Sequence, residues 1–318
     1  MTAGGDDAGA PTVRGLVRNV TAAIRSRPPV DLLLVAVPLP ALLVVLSLFP
    51  GTEAWRLSLA SAGVFESRTT LWTAFASSFV HTSPTHLVDN VVNYWLLVAV
   101  AYPLSVIAGW RRRMLYATVI YLAVVPLISA WATLAVLGSV TNAPAAGFSD
   151  VNGALLGYLL VVWFVALSRE SRPSDVGSGS KRNGTAVERA GTGRAGVDAR
   201  WSIVVALAVL AVVFLVPSGV DYFPPLPAIA ALFALAASVA AAGLYVTVGR
   251  PRIAGLNLPP SRELLYVTAG SVALAGVIGS LVIVPFGSNV YAHLVGFVVG
   301  FTVPYASVAV TSGKPTWA

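Results

Sequence analysis

Eight stretches of this sequence run for about twenty residues with scarcely a charged side chain, at roughly 30–49, 86–108, 115–139, 149–168, 201–218, 225–248, 263–286 and 289–310. Lipid offers no partner to a free backbone N–H or C=O, so a segment of this kind satisfies its own hydrogen bonds only as a helix. The expectation is an all-α, polytopic membrane bundle of about eight transmembrane helices. The composition agrees, with 57% hydrophobic and only 10% charged residues among 318.

Charge sets the expected direction of the spans. Arg14, Arg18, Arg25 and Arg27 precede the first span, Arg111 to Arg113 join the second to the third, and seven Lys/Arg lie in residues 169–200. Arg250, Arg252 and Arg262 precede the seventh span, and Lys314 follows the eighth. With eight alternating spans all of these fall on one side, and only Arg56 and Arg68 on the other. By the positive-inside rule both termini are cytosolic. The net charge of +7 then reports loop bias and attraction to anionic lipid, and nucleic acid is not an expected partner.

The chain divides accordingly into a cytosolic tail (1–29), four spans (30–168), a cytosolic linker (169–200), four more spans (201–310) and a short cytosolic tail (311–318). The linker is rich in Gly, Ser and charge and poor in apolar residues, the composition of a flexible connection. The first apolar block follows an arginine-rich segment without a small-residue cleavage site, and reads as an uncleaved span. Residues 51–80 mix aromatics with charges in runs too short to span, and read as an external loop lying partly in the interface, with Trp55 and Trp72 as anchors. Trp110 and Trp201 fall at cytosolic boundaries, where interfacial anchoring is expected. The absence of cysteine from the sequence excludes a disulfide framework, a thiolate metal site and a cysteine nucleophile.

The sequence holds three histidines, His81, His86 and His293, all at external ends of spans. Ionisable groups there are costly and point to function, although each could simply cap a loop. In HTSPTHLVDN (81–90), Ser83 and Pro84 have the character of an N-cap and first helical residue, which sets His86 and Asn90 one turn apart on one face. In AGFSDVNGALLGY (146–158), Ser149 stands in an N-cap position, where unpaired N–H groups favour a developing negative charge. Ser149, Gly153 and Gly157 share one face, as do His293, Gly296 and Gly300 in YAHLVGFVVGF (291–301). Faces of small residues let helices approach closely, which would bring Ser149 and His293 together. Glycine-mediated packing alone would explain either motif. Parity adds a constraint, since three spans separate these two helices and so place both residues at the same membrane face. A zinc site built from the three histidines is disfavoured by Asn90, a poor ligand.

At these residues the sequence resembles the rhomboid intramembrane serine proteases. Their HxxxxHLxxN motif is met by His81, His86, Leu87 and Asn90. Their GxSG is met by Gly147 and Ser149, with Asp150 replacing the second glycine, and their AHxxGxxxG by Ala292, His293, Gly296 and Gly300. Trp72 precedes the first histidine as in the family, with Thr73 where arginine is usual, and Gly153 stands where many members carry a tyrosine under the catalytic histidine. The family's six-span core has one span between the serine and histidine helices, and here there are three.

The resemblance implies Ser149 as nucleophile and His293 as its general base. It also implies an oxyanion hole of His86, Asn90 and the Ser149 N–H, with His81, Gly147 and Asp150 structural beside the site. It implies neither metal nor cofactor. The partners would be transmembrane protein substrates and membrane lipid, in a multi-pass protein of the cell membrane. A rhomboid-like pseudoprotease that binds membrane proteins is the alternative. An ionised Asp150 about 7 Å from the oxyanion would cost on the order of 2 kcal/mol; turned to water in the first helical turn, it would leave the rate alone.

Overall fold

The structure is a computed structural model and describes residues 29–170, 196–216, 225–251, 258, 260–284 and 289–312. The N-terminal tail up to residue 28, residues 171–195 of the 169–200 linker and the last six residues lie outside the described residues. Helices occur at each of the eight apolar stretches. They are α1 (Pro29–Ala36) with α2 (Pro38–Leu48), α4 (Pro84–Ile107), α5 (Arg111–Leu137), α6 (Ser149–Glu170), α7 (Ser202–Leu215), α8 (Pro227–Val248), α9 (Pro260–Val277) and α10 (Val290–Ser312). A further helix, α3 (Arg68–Ala76), belongs to the 51–80 loop. Six of the helices, α4, α5, α6, α8, α9 and α10, are long and apolar enough to cross a membrane. The protein is a polytopic helical bundle, and the expected eight full-length spans are not all present among the described residues.

Two stretches fall short for local reasons. The first is broken at Val37, because Pro38 and Pro40 lack the N–H groups that would bond back to Leu34 and Ala36. The carbonyls at the break find side chains instead: the Tyr94 hydroxyl donates to Val35 O, and Trp95 Nε1 donates to Ala36 O at 2.9 Å. The fifth is a helix of 14 residues preceded by a 3₁₀ turn, Ala199–Trp201, in which Asp198 accepts from Arg200 N.

α6 is the axis of the bundle. From Asp150 to Leu167 every residue but Trp163 is buried, as befits a helix apolar on all sides. Its most extensive neighbour is α10, followed by α4. The α6–α10 contact is made by the two glycine faces. A Cβ on Gly153 would lie 2.6 Å from His293 O, and one on Gly296 would meet Asp150 O and stand 3.1 Å from Ala154 N. A Cβ on Gly300 would overlap the Ala154 main chain. Only hydrogen in place of Cβ lets these backbones touch. α9 leans on α6 through glycines that face side chains, with Gly270 against the Trp163 indole and Gly276 against the Leu156 side chain. Its N-terminal end is tied to α6 by an Arg262–Glu170 ion pair.

The 51–80 loop is an ordered cap with a small core of its own, in which Leu57, Leu59, Val64 and Ala74 pack with Ala130 and Leu137 of α5. Leu57 and Ala145 exchange both backbone hydrogen bonds, at 3.0 and 2.9 Å, which fastens the loop to the segment entering α6. Trp55 and Trp72 meet edge to face at 5.4 Å, so they pack on each other as well as facing outward. Trp110 departs from the expectation of an interfacial anchor. It is buried at the start of α5, with the Arg113 guanidinium 4.7 Å over its ring, so the charge that should have marked a lipid boundary covers an indole instead.

Candidate active site

α4 begins where its sequence says. The Ser83 hydroxyl accepts from His86 N at 3.2 Å and Pro84 occupies the first turn. This makes His86 the third residue of the helix, its Nδ1 3.3 Å from Thr82 Oγ1. The opposite edge of its ring lies against Gly147, where a Cβ would fall 2.8 Å from Nε2. Gly147 also has φ of 129°, outside the range that L side chains adopt readily. Its N–H donates to Ser77 O at 2.9 Å. Glycine is thus required twice over at this position, by conformation and by contact with His86.

α6 starts one residue earlier than the cap reading of Ser149 requires. Phe148 is the turn residue whose carbonyl accepts from Asn152 N at 3.1 Å, and Ser149 is the first helical residue. The serine remains half-buried at the positive end of the helix, where the first N–H groups lack intrahelical partners. The side-chain cap comes from Asp150, whose Oδ1 accepts from Val151 N at 2.7 Å. Its Oδ2 accepts from Ser78 Oγ at 2.8 Å. Asp150 is therefore not turned to water. It is 2% exposed and ties the start of α6 to the Ser77–Phe79 turn.

α10 is capped by Asn289, whose Oδ1 accepts from Ala292 N at 3.2 Å and whose Nδ2 donates to Thr133 Oγ1 of α5 at 2.7 Å. His293 follows one turn in and is buried, with its Nδ1 2.7 Å from Ser280 O.

These elements converge. Ser149, His293, His86, Asp89, Asp150 and Gly147 line one cavity of about 370 Å³ beneath the 51–80 cap. A second cavity of about 430 Å³, between α4, α6 and α9, shares Ser149, His293, His86 and Asp89 and adds Asn90 and Asn152. The serine and the histidine thus stand between a polar space and a more apolar one inside a helical bundle. Asn90 lines only the second space. As a short amide inside a helix it bonds back to its own turn, Nδ2 donating to His86 O at 3.0 Å. Its Oδ1 accepts from Asn152 Nδ2 at 3.2 Å. One of the two Asn90 amide hydrogens remains beyond that bond.

His81 sits in the loop with its ring 5.2 Å from that of His86, and its carbonyl accepts from Arg56 Nη2 at 3.3 Å. Burial, and then the neighbouring His86, push its pKa down to about 4, so it is neutral at physiological pH. Among the described residues no group of three His, Cys, Asp or Glu side chains is placed to hold a metal ion.

Asn152, Ser78, Asn289 and Thr133 were not singled out from the sequence. Asn152 carried a signal in sharing the N-terminal turn of Ser149, and Asn289 in preceding an apolar run as a capping residue. Ser78 and Thr133 carried none, because their partners are distant in sequence.

The fold and this pair of cavities define a class, that of multi-pass helical membrane proteins with a serine and a histidine brought to one polar space by glycine-lined helices. The family model of the Rhomboid domain matches residues 68–172, about a third of the chain, and that match supports membership of the rhomboid family. The match takes in His81, His86, Asn90, Gly147 and Ser149 and stops short of His293. No curated protein and no solved structure matches the chain.

Proposed function

We propose that the chain is an intramembrane serine endopeptidase that cleaves membrane-anchored proteins near the external face of the cell membrane. Both termini are cytosolic in this reading. Ser149 Oγ attacks the scissile carbonyl carbon and passes its proton to His293, and the C=O electron pair moves onto oxygen as the tetrahedral intermediate forms. The Ser149 N–H, at the positive end of α6, and the His86 ring supply hydrogen bonds and dipole to that oxygen, joined by the free Asn90 amide hydrogen. His293 then returns the proton to the leaving nitrogen as the C–N bond breaks, and water from the flanking cavities hydrolyses the acyl-enzyme by the same steps in reverse.

The observation that carries the reading is the α6–α10 glycine contact, which puts Ser149 and His293 on the same cavity. Water access within a bundle is what peptide hydrolysis needs and simple packing does not. A client-binding pseudoprotease is the second reading, favoured by a carboxylate immediately after the serine. Purified protein reconstituted with a reporter transmembrane substrate separates the two. Ser149→Ala and His293→Ala should each abolish cleavage with insertion and Tm nearly unchanged, and full cleavage by Ser149→Ala would overturn the proposal.

A further inference from the structure

The His293 ring is held by main chain rather than by an acidic side chain. Its Nδ1 lies 2.7 Å from Ser280 O, and a carbonyl oxygen can only accept, so this contact requires the proton on Nδ1. The other ring nitrogen, Nε2, is then the bare one. The carbonyl is available because of how α9 ends. After Val277 the helix widens into a π-helical turn, Ile278–Val282, closed by Ile283 N donating to Ile278 O, and there it stops. Carbonyls of a final turn have no amide of their own helix to pair with. π turns, uncommon in themselves, re-aim the groups beside them.

We propose that the Ser280 carbonyl is a third, positioning member of the Ser149–His293 pair, fixing the Nδ1–H tautomer so that Nε2 is free to take the serine proton. This rests on the catalytic reading above. The electrostatics point the same way. His293 lies in the first turns of α10, beyond the Asn289 cap, where its own helix opposes a positive ring. Ser280 stands at the opposite pole of α9, where terminal carbonyls favour one. The imidazolium formed during acylation would thus sit between two helix ends of opposite sign, with the negative one in contact. Gly153 contributes no side chain there, and a Cβ at that position would meet the His293 main chain directly.

A protein with three histidines allows a direct test. Protein labelled with ¹⁵N-histidine, in detergent at a pH where the rings are neutral, gives three sets of ring signals, and His293→Ala identifies the set from His293. The proposal expects a protonated Nδ1 and a bare Nε2 at His293, in wild type and equally in Ser149→Ala. A proton on Nε2, or a mixture of tautomers such as a free imidazole shows, would overturn it. Deleting Gly279 takes one residue from the π turn and rotates the Ser280 carbonyl away. That variant should show mixed tautomers and a kcat lower by on the order of tenfold or more at a KM within about twofold. A folded deletion variant with unchanged tautomer and kcat would also overturn the proposal. Because the spectrum needs no turnover, it is decided separately from the catalytic assignment, which fails only if Ser149→Ala still cleaves.

Discussion

Replacing Gly153 with alanine puts a methyl group 2.6 Å from His293 O and 3.3 Å from Phe297 N, where ordinary contact begins near 3.4 Å. Both are main-chain atoms, so no side chain can swing aside, and α10 must withdraw by roughly 0.8 Å at His293 itself. Overpacking of this kind costs about 1–3 kcal/mol, and alanine returns about 0.5–1 kcal/mol through its better helix propensity, leaving a loss of about 0–2.5 kcal/mol in stability. Catalysis is more sensitive, since a displacement of about 1 Å in a reacting group costs up to about 10²-fold. Gly153→Ala should therefore lower kcat/KM on a reporter substrate by roughly tenfold to a hundredfold while moving Tm by only a few degrees. Gly243→Ala on α8, where a Cβ meets nothing within 4 Å, is the control and should leave activity unchanged with Tm equal or slightly raised. Activity within twofold of wild type in Gly153→Ala would refute the claim that this contact sets the position of His293.

Three other perturbations probe the surroundings. Asp150→Gly leaves the buried Ser78 hydroxyl without its acceptor and should lower stability by about 1–3 kcal/mol, with Asp150→Asn milder, as read from Tm. A gain in turnover approaching about thirtyfold in either variant would show instead that the carboxylate opposes the oxyanion. His81, with a pKa near 4 in the fold against an ordinary 6.5, gains a proton on unfolding throughout that interval. The stability it contributes is complete above pH 6.5 and is lost as pH falls towards 4. His81→Phe, which forfeits no ring hydrogen bond because neither nitrogen has a partner, should flatten that part of the Tm–pH curve, and parallel curves would contradict the assignment. Single cysteines at Ser61 and Ser178, in a chain without native cysteine, report orientation: an impermeant thiol reagent on intact cells should label position 61 and spare 178, and the reverse would invert the topology.

How much of this was legible in the sequence follows from the range of the forces involved. Spans announce themselves because burial in lipid is summed over about twenty residues, and the Ser83–Pro84 start of α4 is a local device read within four positions. The glycine faces were legible as a period, and their meeting across α6 and α10 followed from it. The break at Val37 could have been anticipated from Pro38 and Pro40. The burial of Trp110 could not, because an indole at a helix end is compatible with lipid or with a guanidinium cover. The cap moved from Ser149 to Asp150 because Ser78, seventy-two residues away, draws the carboxylate inward. Least legible is the Ser280 carbonyl, since any residue supplies one and only the way α9 ends decides where it points.

The central claim is that Ser149 is a nucleophile activated by His293, and reaction with a fluorophosphonate tests it most directly because no substrate has to be known. Wild-type protein in detergent or membranes should become covalently labelled, with the adduct mapped to Ser149. Ser149→Ala should take up no label, and His293→Ala should react slower by on the order of 10³-fold or more. Labelling that persists in Ser149→Ala, or a wild-type protein that stays unlabelled while folded, would contradict the account.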